Sequence, residues 1–249
     1  TSFIEFAAKV SQTLIVAKGL PLNGITYGID EPSDYKAYNL KIERGKYIFD
    51  VKTPSAEVNN IEFHLPGRHN VMNALAAIAM ADIYGISLEN IKHRLSTFMG
   101  VKRRFSYKIK TDNLVLIDDY AHHPAEINVV ESSIREMYPN EKILVVFQPH
   151  LFSRTRDFID DFARALSKFD EVLLLDIYPA RETPISGVNS EWLLSKITTK
   201  CKKQTQKNNL VKDIKNSSAK VVAMLGAGDI GVTILEVTDQ LLKTVENET

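Results

Sequence analysis

The sequence predicts an α/β protein whose second half folds around a doubly wound, mostly parallel sheet. Short apolar runs alternate there with segments long enough for helices, the pattern of parallel strands joined by crossover helices. Residues 114–117 and Ile143–Phe147 are short, rich in β-branched side chains and bounded by turn residues, as buried strands are. Between them, Pro124–Met137 has proline in its first turn and apolar side chains on one stripe. This predicts a helix, and therefore a βαβ unit.

The first part of the chain predicts a smaller region of helices and strands. Residues 2–17 have helical spacing that runs into a strand-like LIVA segment. Residues 25–65 hold four short strand-like runs separated by turn clusters, which predicts a small antiparallel meander. The alanine-rich segment 73–84 predicts a helix that Gly85 ends, and Leu88–Thr97 predicts a second helix.

A new alternation of strands and helices begins near Phe105, where we place the boundary between domains 1–105 and 106–249. After a strand at 107–110 and the βαβ unit, the pattern predicts helices at 156–168, 191–199, 210–216 and 229–246, with strands at 171–176 and Val221–Leu225. The basic tract 200–207 is expected to be a solvated helix end and loop.

Composition excludes several classes of function. Lys plus Arg equals Asp plus Glu at 31 each, so no global field favours nucleic acid or an acidic membrane surface. The single cysteine, Cys201, cannot form an internal disulfide and fits a reducing compartment. No apolar run approaches the roughly 20 residues that span a bilayer, and no signal-peptide pattern opens the chain. We therefore expect a soluble cytoplasmic protein without nucleic-acid or membrane partners; no pattern indicates its oligomeric state.

Polar and reactive side chains follow both strands of the βαβ unit. Asp118, Asp119, Tyr120, His122 and His123 come after the first strand, and Gln148, His150, Arg154 and Arg156 come after the second. The carboxyl ends of parallel strands meet at one edge of a sheet, where α/β proteins bind ligands. Such a cluster at adjacent strand ends is costly to assemble without a function, so we predict the active site there.

Three members of this cluster also have other interpretations. His123 could cap the helix that begins at Pro124. Arg154 and Arg156 lie two residues apart and present different faces, so one could clamp an anion while the other pairs with Asp157 or Asp161.

Gly226, Gly228 and Gly231 form a G-x-G-x-x-G pattern directly after a predicted strand. The pattern is typical of dinucleotide binding, but that fold needs a further strand with an acidic residue about 20 positions on, and none follows in this sequence. A tight strand-to-helix turn is the preferred interpretation, and the glycines could also let the backbone approach an anion.

Two further pairs of polar residues are candidates for nucleotide contacts. Asn70 and Asn73 lie three apart at a helix start, where an Asn either caps the helix or reads a base edge. Arg103 and Arg104 could touch phosphates or anchor a hinge by ion pairs. The sequence contains neither a P-loop nor a Cys/His metal pattern.

Six stretches in a fixed order resemble the Mur ligase family: PGRHNVMNALAAIAMA, GVKRRF, DDYAHHPAEI, FQPHLFSRTRDF, YPARETPISGVNS and LGAGDI. The resemblance implies a UDP-binding domain, a central ATPase domain and a C-terminal Rossmann-like domain that binds the amino acid. From the resemblance we expect the given sequence to lack the first domain and to hold only the C-terminal part of the central one, up to about Phe105, without its P-loop and Mg²⁺ ligands. We therefore expect this chain alone to be inactive.

The implied reaction uses ATP and Mg²⁺ to join L-alanine to the carboxylate of UDP-N-acetylmuramate through an acyl phosphate. The motifs imply roles residue by residue: Asn70 and Asn73 contact adenine, Arg104 the ATP phosphates and Asp119 the ribose hydroxyls; His122 and Arg154 orient L-alanine, with Tyr120 lining the pocket. Leu151 stands where many members have arginine, and Arg156 is the candidate to compensate.

Three alternatives stay open at this point. A related ligase that recycles murein tripeptide shares the DD-aromatic-AHHP element but lacks HxxSRTRD, which this sequence has. The glycine pattern would fit a nucleotide-binding Rossmann module that is not a ligase. A non-catalytic interaction module would bind neither nucleotide nor amino acid.

Overall fold

A computed structural model describes residues 2–43 and 45–247, and the chain divides into two compact units after Gly100. The boundary predicted near Phe105 lies a few residues further along the chain. One unit contains a five-stranded sheet and the other a six-stranded sheet, and helices accompany both. The α/β class and the mostly parallel second sheet are confirmed.

The first unit contains α1 (Ser2–Ala7), β1 (Ile15–Ala17), β2 (Ile25–Ile29), β3 (Tyr35–Glu43), β4 (Lys46–Lys52), β5 (Glu57–Phe63), α2 (Arg68–Ile83) and α3 (Leu88–Thr97). The meander prediction is only partly right, because β3, β4 and β5 are antiparallel but β1, β2 and β3 are parallel. The Asp34 carboxylate, just before β3, accepts hydrogen bonds from the Thr26 backbone N–H at 2.8 Å and hydroxyl at 2.7 Å. These bonds hold the start of β3 beside the start of β2.

Helix α2 begins earlier than predicted and ends where predicted. Gly67 precedes it with a φ of 95°, and the Asn70 side-chain amide donates to the Pro66 carbonyl at 2.6 Å, which shapes the entry. At the other end Gly85 has a φ of 81°, and its N–H donates to the Asp82 carbonyl at 2.9 Å. A left-handed glycine with this bond is the expected stop signal of a helix.

The second unit contains β6 (Ser106–Lys110), β7 (Val115–Asp119), α4 (Pro124–Met137), β8 (Ile143–Phe147), α5 (Phe152–Asp157), α6 (Ile159–Leu166), β9 (Glu171–Leu174), α7 (Ser190–Lys196), β10 (Cys201–Gln204), α8 (Leu210–Lys215), β11 (Val221–Leu225) and α9 (Ile230–Asn247). The sheet order is β10-β9-β8-β11-β7-β6, and every neighbouring pair is parallel except β6 with β7.

The six-stranded sheet is covered on both faces. Alternate residues of β8 point to opposite sides: Val145 packs in the cluster formed with α4, α6 and α7, and Val146 packs in the cluster formed with α8 and α9. All five residues of β8 and of β11 are buried, as expected for central parallel strands. Helices on both faces make the sheet doubly wound.

One prediction about strand neighbours is wrong. Strands β7 and β8 are not adjacent, because β11 lies between them and pairs with both. The loop that follows β11 therefore sits between the two groups of polar residues that follow β7 and β8. This arrangement adds the glycine pattern to the candidate site.

Two local predictions are also wrong. The helix expected at 156–168 is two helices, α5 and α6, separated at Phe158, whose ring contacts that of His123 with centroids 4.7 Å apart. The tract 200–207 contains the edge strand β10, which pairs with β9 on one side. Lysines are common on edge strands because they discourage further pairing, and this polarity hid the strand in the sequence.

Across the described residues, no helix is both long enough and apolar enough to cross a bilayer.

Candidate active site

Asp119 ends β7 and organises the loop that follows it. Asp119 is 6% exposed, and its carboxylate accepts hydrogen bonds from the Phe105 and Ala121 backbone N–H groups, both at 2.7 Å. Burial raises the pKa of Asp119, while the two hydrogen bonds and the Arg104 charge oppose that rise. Each oxygen retains a further lone pair, so a ribose contact by Asp119 stays a prediction.

Arg103 anchors the start of this unit to the sheet edge. Its Nε donates to Asp118 at 3.2 Å, and the same guanidinium donates to the Gly226 carbonyl. The guanidinium also lies 5.1 Å from the ring centroid of Tyr120. Arg103 therefore forms the ion-pair anchor that the sequence offered as one of two roles for the arginine pair.

Arg104 takes a different position from its neighbour. It is exposed and lies 5.8 Å from the Tyr120 ring centroid. With the residues the structure describes it forms no ion pair and no side-chain hydrogen bond. Its charge is thus available to an anion, which is compatible with the predicted phosphate contact.

The two histidines after β7 have different roles. His123 caps α4, since its Nδ1 accepts from the Ala125 N–H at 3.5 Å and Glu126 accepts from the His123 N–H at 3.1 Å. The capping interpretation of His123 is confirmed. His122 Nδ1 lies 3.0 Å from the Tyr120 carbonyl oxygen and 3.3 Å from a Glu126 carboxylate oxygen. Both are acceptors, so Nδ1 carries a proton, and in the neutral tautomer that this favours the lone pair lies on Nε2.

Gln148 follows β8 and holds the start of α9. Its side-chain oxygen accepts from the Ile230 N–H at 3.0 Å, and its side-chain nitrogen donates to Asp229 at 2.7 Å. Lys207 also pairs with Asp229. Burial works to raise the pKa of Asp229, but the hydrogen bonds from Lys207 and Gln148 prevail and hold it below its usual value. The first helical N–H donors of α9 are therefore used by the chain itself.

The glycine pattern makes room for side chains of this protein. A Cβ on Gly228 would lie 2.7 Å from the Tyr178 ring, and one on Gly231 would lie 2.6 Å from the Arg103 guanidinium carbon. Gly226 has a φ of 148° and would meet the Gln148 carbonyl oxygen at 2.9 Å. These contacts support the tight-turn interpretation. Atoms of this protein already occupy the space next to the glycines that a dinucleotide pyrophosphate would need.

His150 and Arg154 form the other half of the cluster. The His150 ring stacks on Tyr178 with centroids 5.6 Å apart and contacts the edge of His122 at 6.0 Å. Arg154 Nη1 lies 3.4 Å from His150 Nδ1, which must be the acceptor because a guanidinium only donates. Burial, followed by the Arg154 and His122 charges, lowers the pKa of His150. The structure thus brings His122, His150 and Arg154 together.

In the described part of the second unit, only one of the two arginines of α5 forms an ion pair with a neighbouring aspartate, as the sequence suggested. Arg156 Nε donates to Asp157 at 2.8 Å, and its side chain is 51% exposed. Arg154 forms no ion pair with any residue that the structure describes. Arg154 is therefore the arginine free to clamp an anion, and substrate binding by Arg156 stays a prediction.

Sequence reasoning missed two residues of the loop after β9. Tyr178 stacks on His150, and Glu182 accepts from the Ser153 backbone N–H at 2.9 Å. Both lie in the YPARE segment, so the resemblance to a family marked the segment although no spacing rule identified these side chains. Leu151 directly precedes α5 and has a φ of 74°, an uncommon conformation for a non-glycine residue.

The asparagines predicted to contact adenine belong to the first unit. Both lie on α2, three residues apart and so on neighbouring positions of one face. Asn70 is half-buried and bound to the Pro66 carbonyl, whereas Asn73 is exposed. Asn73 is therefore the more accessible of the two.

The described part of the chain does not gather side chains into a metal site. No group of three or more His, Cys, Asp or Glu side chains there has the arrangement that holds a metal ion. The described residues therefore do not fit a Mg²⁺ site.

Comparison with known proteins defines the class. Residues 103–234 match the family model described as Mur ligase, glutamate ligase domain, and residues 4–81 match the one described as Mur ligase middle domain. The chain belongs to the Mur ligase family.

Individual relatives narrow the comparison. The chain is 58% identical over 243 residues to a protein named UDP-N-acetylmuramate–L-alanine ligase from Christiangramia forsetii, covering 97% of this chain and 54% of that one. It is 55% identical over 242 residues to the ligase of the same name from Flavobacterium psychrophilum, covering 96% and 54%. The chain thus spans about half the length of the curated relatives it matches.

A solved structure agrees with these relatives. The crystal structure of UDP-N-acetylmuramate-alanine ligase from Thermotoga maritima superposes with a TM-score of 0.72 at 28% identity, covering 90% of this chain and 48% of that one.

Proposed function

We propose that the protein is an ATP-dependent acid–amino-acid ligase that joins L-alanine to the carboxylate of UDP-N-acetylmuramate, in the synthesis of peptidoglycan precursors. The observation that carries the proposal is the position of Arg154, a half-buried cation without an anionic partner among the described residues, beside two imidazoles at the carboxyl edge of the sheet. The named relatives supply the identity of the substrates.

The chemistry proceeds in two steps. The muramate carboxylate attacks the γ-phosphorus of ATP, which releases ADP and forms an acyl phosphate. The alanine amine then attacks the acyl carbon; the new C–N bond forms, the C–O bond to phosphate breaks, and inorganic phosphate leaves. The amine must lose its ammonium protons, so the second step needs a proton acceptor close to the amino acid.

Residues of the second unit can perform this second step. Arg154 would bind the alanine carboxylate, because a guanidinium donates to a carboxylate in a bidentate manner. His122 would accept a proton on Nε2, since its Nδ1 is committed to the Tyr120 carbonyl. Tyr120 would line the pocket, and Arg156 is retained as a second, weaker cation that Asp157 already pairs.

The nucleotide contacts are proposed for each unit by itself. In the first unit, Asn70 and Asn73 would bind adenine, and exposure of the Asn73 amide supports this role. In the second, the free charge of Arg104 would meet the phosphates and Asp119 the ribose. Residues 1–105 would then be the C-terminal part of the central ATP-binding domain, and 106–249 the amino-acid-binding domain. Mg²⁺ would be bound outside the described residues, and no step is assigned to it.

The test is release of inorganic phosphate by the intact protein with ATP, Mg²⁺ and UDP-N-acetylmuramate, with and without L-alanine. Release that depends on L-alanine supports the ligase. Release only when the murein tripeptide replaces alanine identifies the recycling ligase instead. The chain of 249 residues serves as a control that should give no turnover. ATP and UDP-linked sugars are intracellular metabolites, so we place the reaction in the cytoplasm.

A further inference from the structure

The loop after β9 is attached to the start of α5 by backbone bonds. The Tyr178 N–H donates to the Pro149 carbonyl at 2.8 Å, and the Leu151 N–H donates to the Tyr178 carbonyl at 2.9 Å. The Tyr178 ring stacks on His150, which lies between those two anchor points. The loop is therefore tied by three contacts to the segment that carries the candidate site residues.

Glu182 adds the cap that α5 lacks. Leu151 precedes this helix and supplies no side-chain hydrogen bond to its free N–H groups. Glu182 does so from across the sheet edge: one oxygen accepts from the Ser153 N–H at 2.9 Å and the other accepts from the Ser153 hydroxyl. The hydroxyl bond, followed by the backbone bond, lowers the pKa of Glu182, so it is ionised at neutral pH.

The same bonds keep Glu182 away from Arg154. The two charges are close enough to influence each other, yet they form no ion pair in the described part of the chain. Both Glu182 oxygens are committed to Ser153. Glu182 therefore fixes the start of α5 without pairing with the Arg154 guanidinium. That guanidinium stays open to another carboxylate.

We propose that Glu182 is a positioning residue that aims Arg154 at the carboxylate of the incoming amino acid. It touches no substrate and acts through Ser153 and the first turn of α5. The inference deepens the proposed function and rests on it for the identity of the ligand. It makes the loop after β9 part of amino-acid recognition.

Three variants of the intact protein separate this role from a merely structural one. Glu182→Ala removes the cap and should raise the KM for L-alanine by about tenfold, the loss of roughly one charged hydrogen bond, with kcat and the KM for ATP unchanged. Glu182→Gln keeps an acceptor oxygen and should restore most of the affinity. Ser153→Ala frees one Glu182 oxygen to pair with Arg154 and should also raise the KM for L-alanine. Glu191→Gln, an exposed change on α7, is the matched control.

A second measurement does not depend on turnover. In a ¹⁵N spectrum of arginine side chains, the Arg154 Nε–H signal, assigned with Arg154→Lys, should shift in Glu182→Ala and return towards its original position in Glu182→Gln. An unshifted signal overturns the proposal, and so does a shift accompanied by an unchanged KM or by an equal loss for both substrates. If the unaltered protein shows no alanine-dependent turnover, the proposed function fails, while the spectrum still decides whether Glu182 positions Arg154.

Discussion

His122 Nδ1 lies 3.0 Å from the carbonyl oxygen of Tyr120, two residues earlier in the same loop. The bond fixes which ring nitrogen carries the proton and leaves Nε2 as the acceptor. We predict that His122→Asn, which can keep a donor near Nδ1 but has no atom at Nε2, lowers kcat at saturating L-alanine by about 10²–10⁴-fold. His123→Asn should leave kcat near its original value, because asparagine also caps helices. Equal losses in the two variants would contradict the assignment.

Arg154 and Arg156 should differ although they lie on the same short helix. Arg154→Ala should raise the KM for L-alanine by an amount equivalent to about 1.5–3 kcal/mol, the range for a hydrogen bond to a charged group. Arg156→Ala should have a smaller effect, since that guanidinium is half exposed and paired with Asp157. Steady-state kinetics with varied L-alanine measures both. Alanine kinetics that do not change in Arg154→Ala would exclude it from the amino-acid site.

Asp119 should contribute to the stability of the fold, whether or not it also binds nucleotide. Asp119→Ala leaves the buried N–H groups of Phe105 and Ala121 without an acceptor, which should cost about 2–5 kcal/mol in the free energy of unfolding. Asp119→Asn keeps one acceptor oxygen and should cost less. Urea unfolding tests this order.

The ribose role of Asp119 needs a separate measurement. The KM for ATP should be compared in Asp119→Asn at a temperature where the variant is fully folded. Saturation at the original ATP concentration would refute the ribose contact and leave Asp119 a structural residue.

His150 should make the folded state sensitive to mild acid. Its pKa in the folded state is lowered from 6.5, so the unfolded chain binds more protons there as the pH falls. The stability that His150 contributes is therefore present above about pH 6.5 and is lost as the pH falls below it. His150→Gln should flatten the dependence of urea stability on pH between neutral and mildly acidic conditions. Parallel curves for the two proteins would contradict this.

Gly228 should tolerate a methyl group less well than Gly187. A Cβ at Gly228 would collide with Gln148 and Tyr178, and overpacking of this kind costs about 1–3 kcal/mol. Gly187 has a φ of 77° and open space around it, so Gly187→Ala should cost only the backbone strain of about 1–2 kcal/mol. Loss of L-alanine affinity should accompany Gly228→Ala alone, because only that change displaces Tyr178 from His150. Kinetics and urea unfolding of both variants test the comparison.

For the second unit, the sequence predicted the positions of helices and strands along the chain better than the order of strands in the sheet. Periodicity locates Pro124–Met137 because one stripe of that helix faces a core, and an unbroken apolar run locates Ile143–Phe147 because both faces of that strand are buried. It does not carry strand order, since the insertion of β11 between β7 and β8 depends on contacts between residues far apart in the chain. The edge strand β10 was missed for a related reason: a polar strand with one neighbour has no alternation to detect.

Prediction of the site was limited in the same way, because local sequence patterns do not show contacts between residues far apart in the chain. Polar residues that follow strands led to the prediction that His122 and Arg154 lie close together, because strand ends share an edge, and the structure places both beside His150. Glu182 lies in a loop without regular spacing, and its role depends on a hydrogen bond to a residue 29 positions earlier. No local pattern contains such a relation. The sequence predicts a site role for Asp119, which stays a prediction, whereas its burial and its two backbone hydrogen bonds appear only when the loop is folded.

The central place of β11 has a consequence for how the protein reaches its native state. Within the described part of the second unit, β11 is the strand that is synthesised last, yet β7 and β8 both need it as a neighbour. Until it enters, each of those strands has an open apolar edge, which is prone to wrong pairing during folding. Closure over so long a sequence separation is slow. The two halves of the sheet can therefore join only after β11 has taken its place between β7 and β8.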